Sequence, residues 1–100
     1  MSVVHGRVLV IDIGTTGTRA AIVRSDASVE HLVHRNTPPD TPFPGLVEFD
    51  AATLAVDALE LAREVLRRSG PVDAIGITCQ RGSTIVWDRR SGEPIGPALG

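Results

Sequence analysis

An apolar, β-branched run interrupted by one carboxylate and a glycine-threonine bend, with β-type residues resuming at once, constrains this chain more than any other feature. Val8-Leu9-Val10-Ile11-Asp12-Ile13 is short enough to be one buried strand. Gly14-Thr15-Thr16-Gly17-Thr18 then turns the chain into Arg19-Ala20-Ala21-Ile22-Val23. A connection this short makes the second strand an antiparallel neighbour of the first, with polar groups gathered at the tip.

Such a tip suits an oxyanion. Gly14 and Gly17 let the backbone bend and bring its N–H groups close to a phosphate, while the hydroxyls of Thr15, Thr16 and Thr18 and the Arg19 guanidinium add donors. Asp12 is the single acceptor-type charge there, and a carboxylate beside phosphate is explained by Mg²⁺ held largely through water. The same residues also suit a ligand-free glycine hairpin with Asp12 as a cap, and residue types alone leave both readings open. Two other nucleotide motifs are excluded. A dinucleotide fingerprint needs three ordered glycines opening a helix, whereas Gly14 and Gly17 have another spacing and lead into β-type residues. A P-loop needs Gly-Lys-Ser/Thr, and all ten basic residues are Arg, which also excludes a Schiff-base lysine within these residues.

One hundred residues permit one small domain or a piece of a larger one, and 42% hydrophobic with 22% charged residues is a globular composition. A net charge of −2 and 3% aromatics give no electrostatic or stacking reason to expect nucleic acid. The residues before the first strand are too few and too polar for a secretory signal, and no apolar run reaches membrane-spanning length. Cys79 is the lone cysteine, so no disulfide framework or cysteine-rich metal site forms, and a reducing cytoplasm is the simplest expectation. Homo-oligomerisation is left open.

Strands are expected over Arg7 to Ile13, Arg19 to Val23 and Val29 to Arg35, the last two joined by Ser25-Asp26, as an antiparallel meander. Pro38, Pro39, Pro42 and Pro44 then make Asn36 to Gly45 an ordered surface loop, either a stiff connector or a cover over a substrate mouth. Asp50 caps a helix from Ala51 to Arg68, with Leu54, Ala58, Leu61, Ala62 and Val65 on one face and charges on the solvated one. Glu64 pairs with Arg68, and Gly70-Pro71 stops the helix. A strand over Val72 to Thr78 leads to Cys79-Gln80-Arg81-Gly82-Ser83, and another over Thr84 to Asp88 is turned by Arg89 to Pro94. This order gives an α/β fold with a mixed sheet and a flanking helix.

With both strand-end segments in hand, the chain resembles the N-terminal end of the FGGY family of sugar and polyol kinases, its glycerol kinase branch most closely. The resemblance rests on Ile11-Asp12-Ile13-Gly14-Thr15-Thr16 through Arg19, on Pro44-Gly45-Leu46-Val47-Glu48, on Ile75-Gly76-Ile77-Thr78 with Gln80-Arg81, and on Val86-Trp87-Asp88 before Ser91-Gly92-Glu93-Pro94-Ile95. It implies a ribonuclease-H-like fold of the actin-like ATPase superfamily, and ATP-dependent phosphorylation of a sugar or polyol hydroxyl. By the same resemblance, Gly14, Thr15, Thr16 and Thr18 hold the ATP phosphates, Asp12 orients hydrated Mg²⁺, Arg19 neutralises phosphate charge, and Gln80 and Arg81 meet the acceptor hydroxyls. Glycerol kinases place Glu after Gln-Arg where this chain has Gly82; pentulose kinases of the family often read Gln-Met-His-Gly there. Ser-Ser is common where Gly17-Thr18 stands, a change that backbone-dominated phosphate binding tolerates.

The whole chain, residues 1–100, then corresponds to part of the family's N-terminal domain. The catalytic base and adenine site are expected beyond Gly100, which leaves this polypeptide inactive alone. A truncated, non-catalytic nucleotide-binding or scaffolding member of the superfamily is the rival reading, and a chaperone-type or actin-type ATPase shares only the first motif. Asp88 is expected to be a turn residue and Cys79 a small buried side chain. Trp87 is expected to pack the core rather than stack on a sugar. His5, His31 and His34 read as ordinary histidines; on a regular strand, His31 and His34 would face opposite sides.

Overall fold

The computed structural model describes residues 6–99. Strands β1 (Arg7–Ile13), β2 (Gly17–Arg24) and β3 (Val29–Asn36) form the expected meander. A two-residue strand, β4 (Glu48–Phe49), precedes helix α1 (Ala51–Ser69), and β5 (Ala74–Cys79) then runs parallel to β1 on its free side. The four-stranded sheet has the order β3-β2-β1-β5, and β4 pairs with a last short strand, β6 (Ala98–Leu99). The mixed sheet and its single crossover helix follow the pattern expected from the sequence.

Alternation places Leu9 and Ile11 of β1 and Ala20 and Ile22 of β2 on one sheet face, where Leu61, Ala62 and Val65 of α1 close the core. Leu9, Ile22 and Val65 are fully buried, each worth about 1.5–3 kcal/mol relative to exposure. The helix begins where its cap dictates: the Asp50 carboxylate accepts from the Thr53 N–H at 3.1 Å. It ends at Gly70, whose φ of 77° suits glycine and whose N–H donates to the Leu66 carbonyl. The expected Glu64–Arg68 pair closes at 2.7 Å.

Several expectations need correction. β2 begins at Gly17 rather than Arg19, because Gly17 and Thr18 already pair with Asn36 and Arg35. Thr84 to Asp88 makes only isolated bridges, Thr84 to Leu99 and Trp87 to Pro94, and its Ile85 and Val86 stay 45% and 58% exposed. Trp87 is 57% exposed and packs no core. Cys79 is exposed as well, opening with Ile13, Ala51, Leu54 and Ile85 onto a cavity of about 390 Å³. β3 carries a bulge: Ala20 pairs with Val33 and Ile22 with Glu30, so His31 and Leu32 together oppose Ala21, with His31 at φ 56°. The bulge resets the alternation assumed for His31 and His34, and His34 stands directly opposite Arg19. His5 lies outside the described residues. Asp88 does occupy a turn, accepting from the N–H groups of Ser91 and Arg90, which hold its carboxyl below the ordinary range. No helix among the described residues is long and apolar enough to cross a membrane.

Candidate functional site

Because β1 and β5 are parallel neighbours, the Gly14–Gly17 bend and the Gln80–Ser83 segment emerge at the same edge of the sheet. Ligands of open α/β sheets gather at such carboxyl ends. The Gln80 N–H donates to the Ile13 carbonyl at 3.0 Å, tying the two strand ends together. Between them lies a cleft of about 360 Å³, lined by Thr15, Thr16, Gln80, Arg81 and Ser83, with Pro39, Val47 and Phe49 as its apolar wall. The glycine-threonine bend and the Gln80-Arg81 pair thus share one cavity. Pro39 on the wall places the proline loop beside this cleft.

The donors of the bend are not all free. The Gly14 N–H is spent inside the bend on the Gly17 carbonyl at 2.9 Å, so it is withdrawn from any ligand. The N–H groups of Thr15 and Thr16 donate to no acceptor among the described residues, and both side chains are exposed. Thr16 is anchored from behind, its carbonyl accepting from the Thr37 N–H at 2.9 Å. Gly17 is required by space rather than by φ: a Cβ would run into the Arg35 carbonyl oxygen and come within 2.9 Å of His34 Nε2. The Gly17 position is therefore less tolerant of serine than the sequence suggested.

Asp12 and Arg19 are register partners on the sheet face away from α1, and both are half-exposed. Their closest approach, Arg19 Nη1 to Asp12 Oδ2, is 3.9 Å, a loose pairing that leaves each able to engage a ligand. Thr78 beside Asp12 and His34 beside Arg19 complete a polar row across all four strands. Thr18 does not join them. Its side chain is 0% exposed on the α1 face, and its hydroxyl has no partner there among the described residues. Alternation alone carries this signal, since Thr18 and Arg19 are adjacent on one strand and cannot face the same side.

The sequence reading also missed Asp57. It sits on the buried face of α1, only 6% exposed, accepting from Thr37 Oγ1 at 2.7 Å and from Arg35 Nη1 at 2.8 Å. The Thr37 hydroxyl, followed by the Arg35 guanidinium, holds its carboxyl below the ordinary range against the opposing effect of burial. Arg35 also reaches Glu60 at 2.7 Å. A larger cleft of about 450 Å³ lies between the proline loop, the start of α1 and residues 94–97, but its rim carries Asp40, Glu48 and Asp50 and none of the expected site residues. Three carboxylates around one opening repel phosphate.

Among the described residues no three His, Cys, Asp or Glu side chains gather closely enough to cage a metal ion. A single carboxylate such as Asp12 is still the usual protein contribution to Mg²⁺ that arrives with phosphates and keeps its waters, so the residues fit a metal delivered with a nucleotide.

The FGGY family of carbohydrate kinases, N-terminal domain, matches residues 7–99. The chain is 42% identical over 96 residues to the glycerol kinase of Trichlorobacter lovleyi, covering 92% of this chain and 19% of that protein. It is 40% identical over 96 residues to the glycerol kinase of Rhodopirellula baltica, covering 92% of this chain and 18% of that one. The solved Plasmodium falciparum glycerol kinase with ADP superposes with a TM-score of 0.84 at 28% identity, over 95% of this chain and 20% of that structure. Xylulose kinase from Rhodospirillum rubrum gives 0.78 at 29% identity, over 93% of this chain and 20% of that structure. The chain spans about a fifth of the length of the curated relatives it matches. Profile, sequence and fold agree over nearly every described residue, and the chain belongs to the FGGY family of carbohydrate kinases, within that family's N-terminal domain.

Proposed function

We propose that the protein transfers the γ-phosphoryl group of ATP to a hydroxyl of a sugar or polyol, and that this chain supplies the phosphate-gripping bend and part of the acceptor site. The observation that carries the reading is the convergence of Thr15 and Thr16 with Gln80 and Arg81 on one cleft at the ends of two parallel strands. Phosphoryl transfer needs positioning and charge stabilisation more than covalent chemistry, and the residues divide along those lines. The free N–H groups and hydroxyls of Thr15 and Thr16 grip phosphate oxygens. Arg19 offsets their charge. Asp12 orients the waters of Mg²⁺, which, when bound, neutralises the charge that develops on the phosphates. The Thr18 hydroxyl, buried on the other face, has no part in this.

Gln80 and Arg81 offer donors and an amide acceptor to substrate hydroxyls across the cleft. Gly82, between the lining residues Arg81 and Ser83, has φ 73°, and no atom stands within 4 Å of where a Cβ would be, so that stretch presents backbone and open space instead of a carboxylate. A hydroxyl-selecting site is sensitive to each such loss, which favours an acceptor other than glycerol. The relatives named glycerol and xylulose kinase bracket the acceptor class.

An ADP-release assay of the full-length protein across polyols, pentuloses and hexuloses tests the reading, with turnover of at least one acceptor expected. Arg81→Ala should raise the acceptor KM about tenfold, whereas Asp12→Ala should lower kcat about a hundredfold with every acceptor. No ADP release with any of these acceptors would overturn the assignment.

A further inference from the structure

Asp57, buried on α1, is joined to the bend by an unbroken run of hydrogen bonds. Thr37 Oγ1 donates to Asp57 Oδ2 at 2.7 Å, and the N–H of the same Thr37 donates to the Thr16 carbonyl at 2.9 Å. Thr37 is the first residue past β3, and the next two are Pro38 and Pro39, which have no N–H. The Thr37 N–H is therefore the last donor with which this part of the chain can hold the bend. Beyond Asn36 no ladder fixes Thr37 itself, and its hydroxyl bond to Asp57 is the side-chain contact that does so.

The carboxylate end of the run is rigid. Asp57 faces the core side of α1, one turn from Leu54 and Leu61, and its second oxygen is occupied by Arg35 of β3, which Glu60 of α1 also holds. Rigid support matters here because Thr15 and Thr16 are exposed and are stitched to the sheet at few points: within the bend through Gly14 and Gly17, and from behind through Thr37. Removing the second stitch lets the two free N–H groups wander, and a donor pair that must be ordered on binding binds more weakly than one already in place.

We propose that Asp57 and Thr37 are positioning residues for the nucleotide phosphates, holding the Thr15–Thr16 bend in its gripping shape without touching the ligand. The inference rests on the kinase reading above and deepens it, assigning nucleotide affinity to a pair of residues on the opposite side of the sheet from Asp12 and Arg19. It also separates the two halves of the cleft: Gln80 and Arg81 are carried by β5 and do not depend on this run.

The test is steady-state kinetics and calorimetric ADP titration of the full-length protein with Thr37→Val, Thr37→Ser and Asp57→Ala. Thr37→Val keeps the shape and the backbone N–H but loses the hydroxyl; it should raise the ATP KM and weaken ADP about fivefold, with the acceptor KM within about twofold of wild type. Thr37→Ser restores the hydroxyl and should return both values to near wild type, which general loss of packing would not do. Asp57→Ala, which leaves the Thr37 hydroxyl with no group to bond on α1, should resemble Thr37→Val, and combining the two should weaken ADP no further than either alone. Equal rises in the ATP and acceptor KM, or lower melting temperatures with unchanged ADP affinity, would overturn the positioning role while leaving the kinase assignment standing. Absence of both ADP binding and turnover in the wild type would instead remove the kinase assignment and this inference with it.

Discussion

A charge on an amphipathic helix ordinarily marks the solvated face, yet Asp57 lies three residues after Leu54 and four before Leu61, in the middle of the apolar stripe. Its burial is tolerable because Thr37 and Arg35 satisfy both oxygens. The depressed carboxyl pKa has a thermodynamic consequence. Its contribution to stability is complete above the ordinary carboxylate value of about 4, and it drains away as pH falls below that value through the lower native one. Asp57→Asn should cost about 2 kcal/mol at pH 7, because a neutral amide gives up the charge that pairs with the Arg35 guanidinium. Urea unfolding at pH 7 and near pH 3 checks this: the gap between wild type and variant should narrow on the acid side. A gap of equal size at both pH values would show that Asp57 is not held ionised by its partners.

At the scale of elements, legibility followed the number of independent local signals. Helix α1 was readable to within a residue because cap, apolar period, ion pair and glycine stop all agree. The β1–β2–β3 meander was equally plain, but the β2–β3 connection hides a subtlety. The Arg24 N–H donates to the Ser28 carbonyl and the Ala27 N–H to the Arg24 carbonyl, closing three residues into a turn in which Ala27 has φ 67°. That is the left-handed position which such loops normally give to glycine. Ala27→Gly should stabilise the hairpin by up to about 1 kcal/mol, the relief of left-handed strain minus the added unfolded-state freedom. Thermal unfolding should show a rise of a few degrees, and a fall would mean that the strain is already relaxed. By contrast, β4 and β6 are two residues each and exist only because Glu48 and Phe49 meet Leu99 and Ala98, a contact between distant segments that local pattern cannot encode. In the candidate site, the convergence of Thr15 and Thr16 with Gln80 and Arg81 follows once β1 and β5 are parallel neighbours. The exclusion of Thr18 was legible from alternation. The Thr37–Asp57 link was not, since it joins a loop to a helix.

The molecule as a whole is covered unevenly, and the apolar pattern explains the remaining misreadings. Helix α1 packs over β1, β2 and β3, whereas Ile75 and Ile77 of β5, on the same sheet face as Leu9 and Ile11, stay 60% and 69% exposed. Hydrophobic sequence declares what gains from burial, about 1.5–3 kcal/mol per large side chain, but not what will cover it. Cys79, Trp87 and the stretch from Thr84 to Asp88 were misread for that reason. Among the described residues β5 is also an edge strand, so its outer backbone groups are unpaired there beside apolar side chains, the combination that invites strand-to-strand association. The isolated 100-residue chain should therefore self-associate at micromolar concentration and bind a hydrophobic dye. Ile75→Thr with Ile77→Thr keeps strand propensity, removes apolar surface and leaves the Leu9, Ile22 and Val65 core untouched. Sedimentation of the double variant should show a smaller species than wild type with the same far-ultraviolet circular dichroism. A wild-type chain that sediments as a monomer and ignores the dye would mean that the β5 face finds its cover within these residues, against the arrangement of α1 described above.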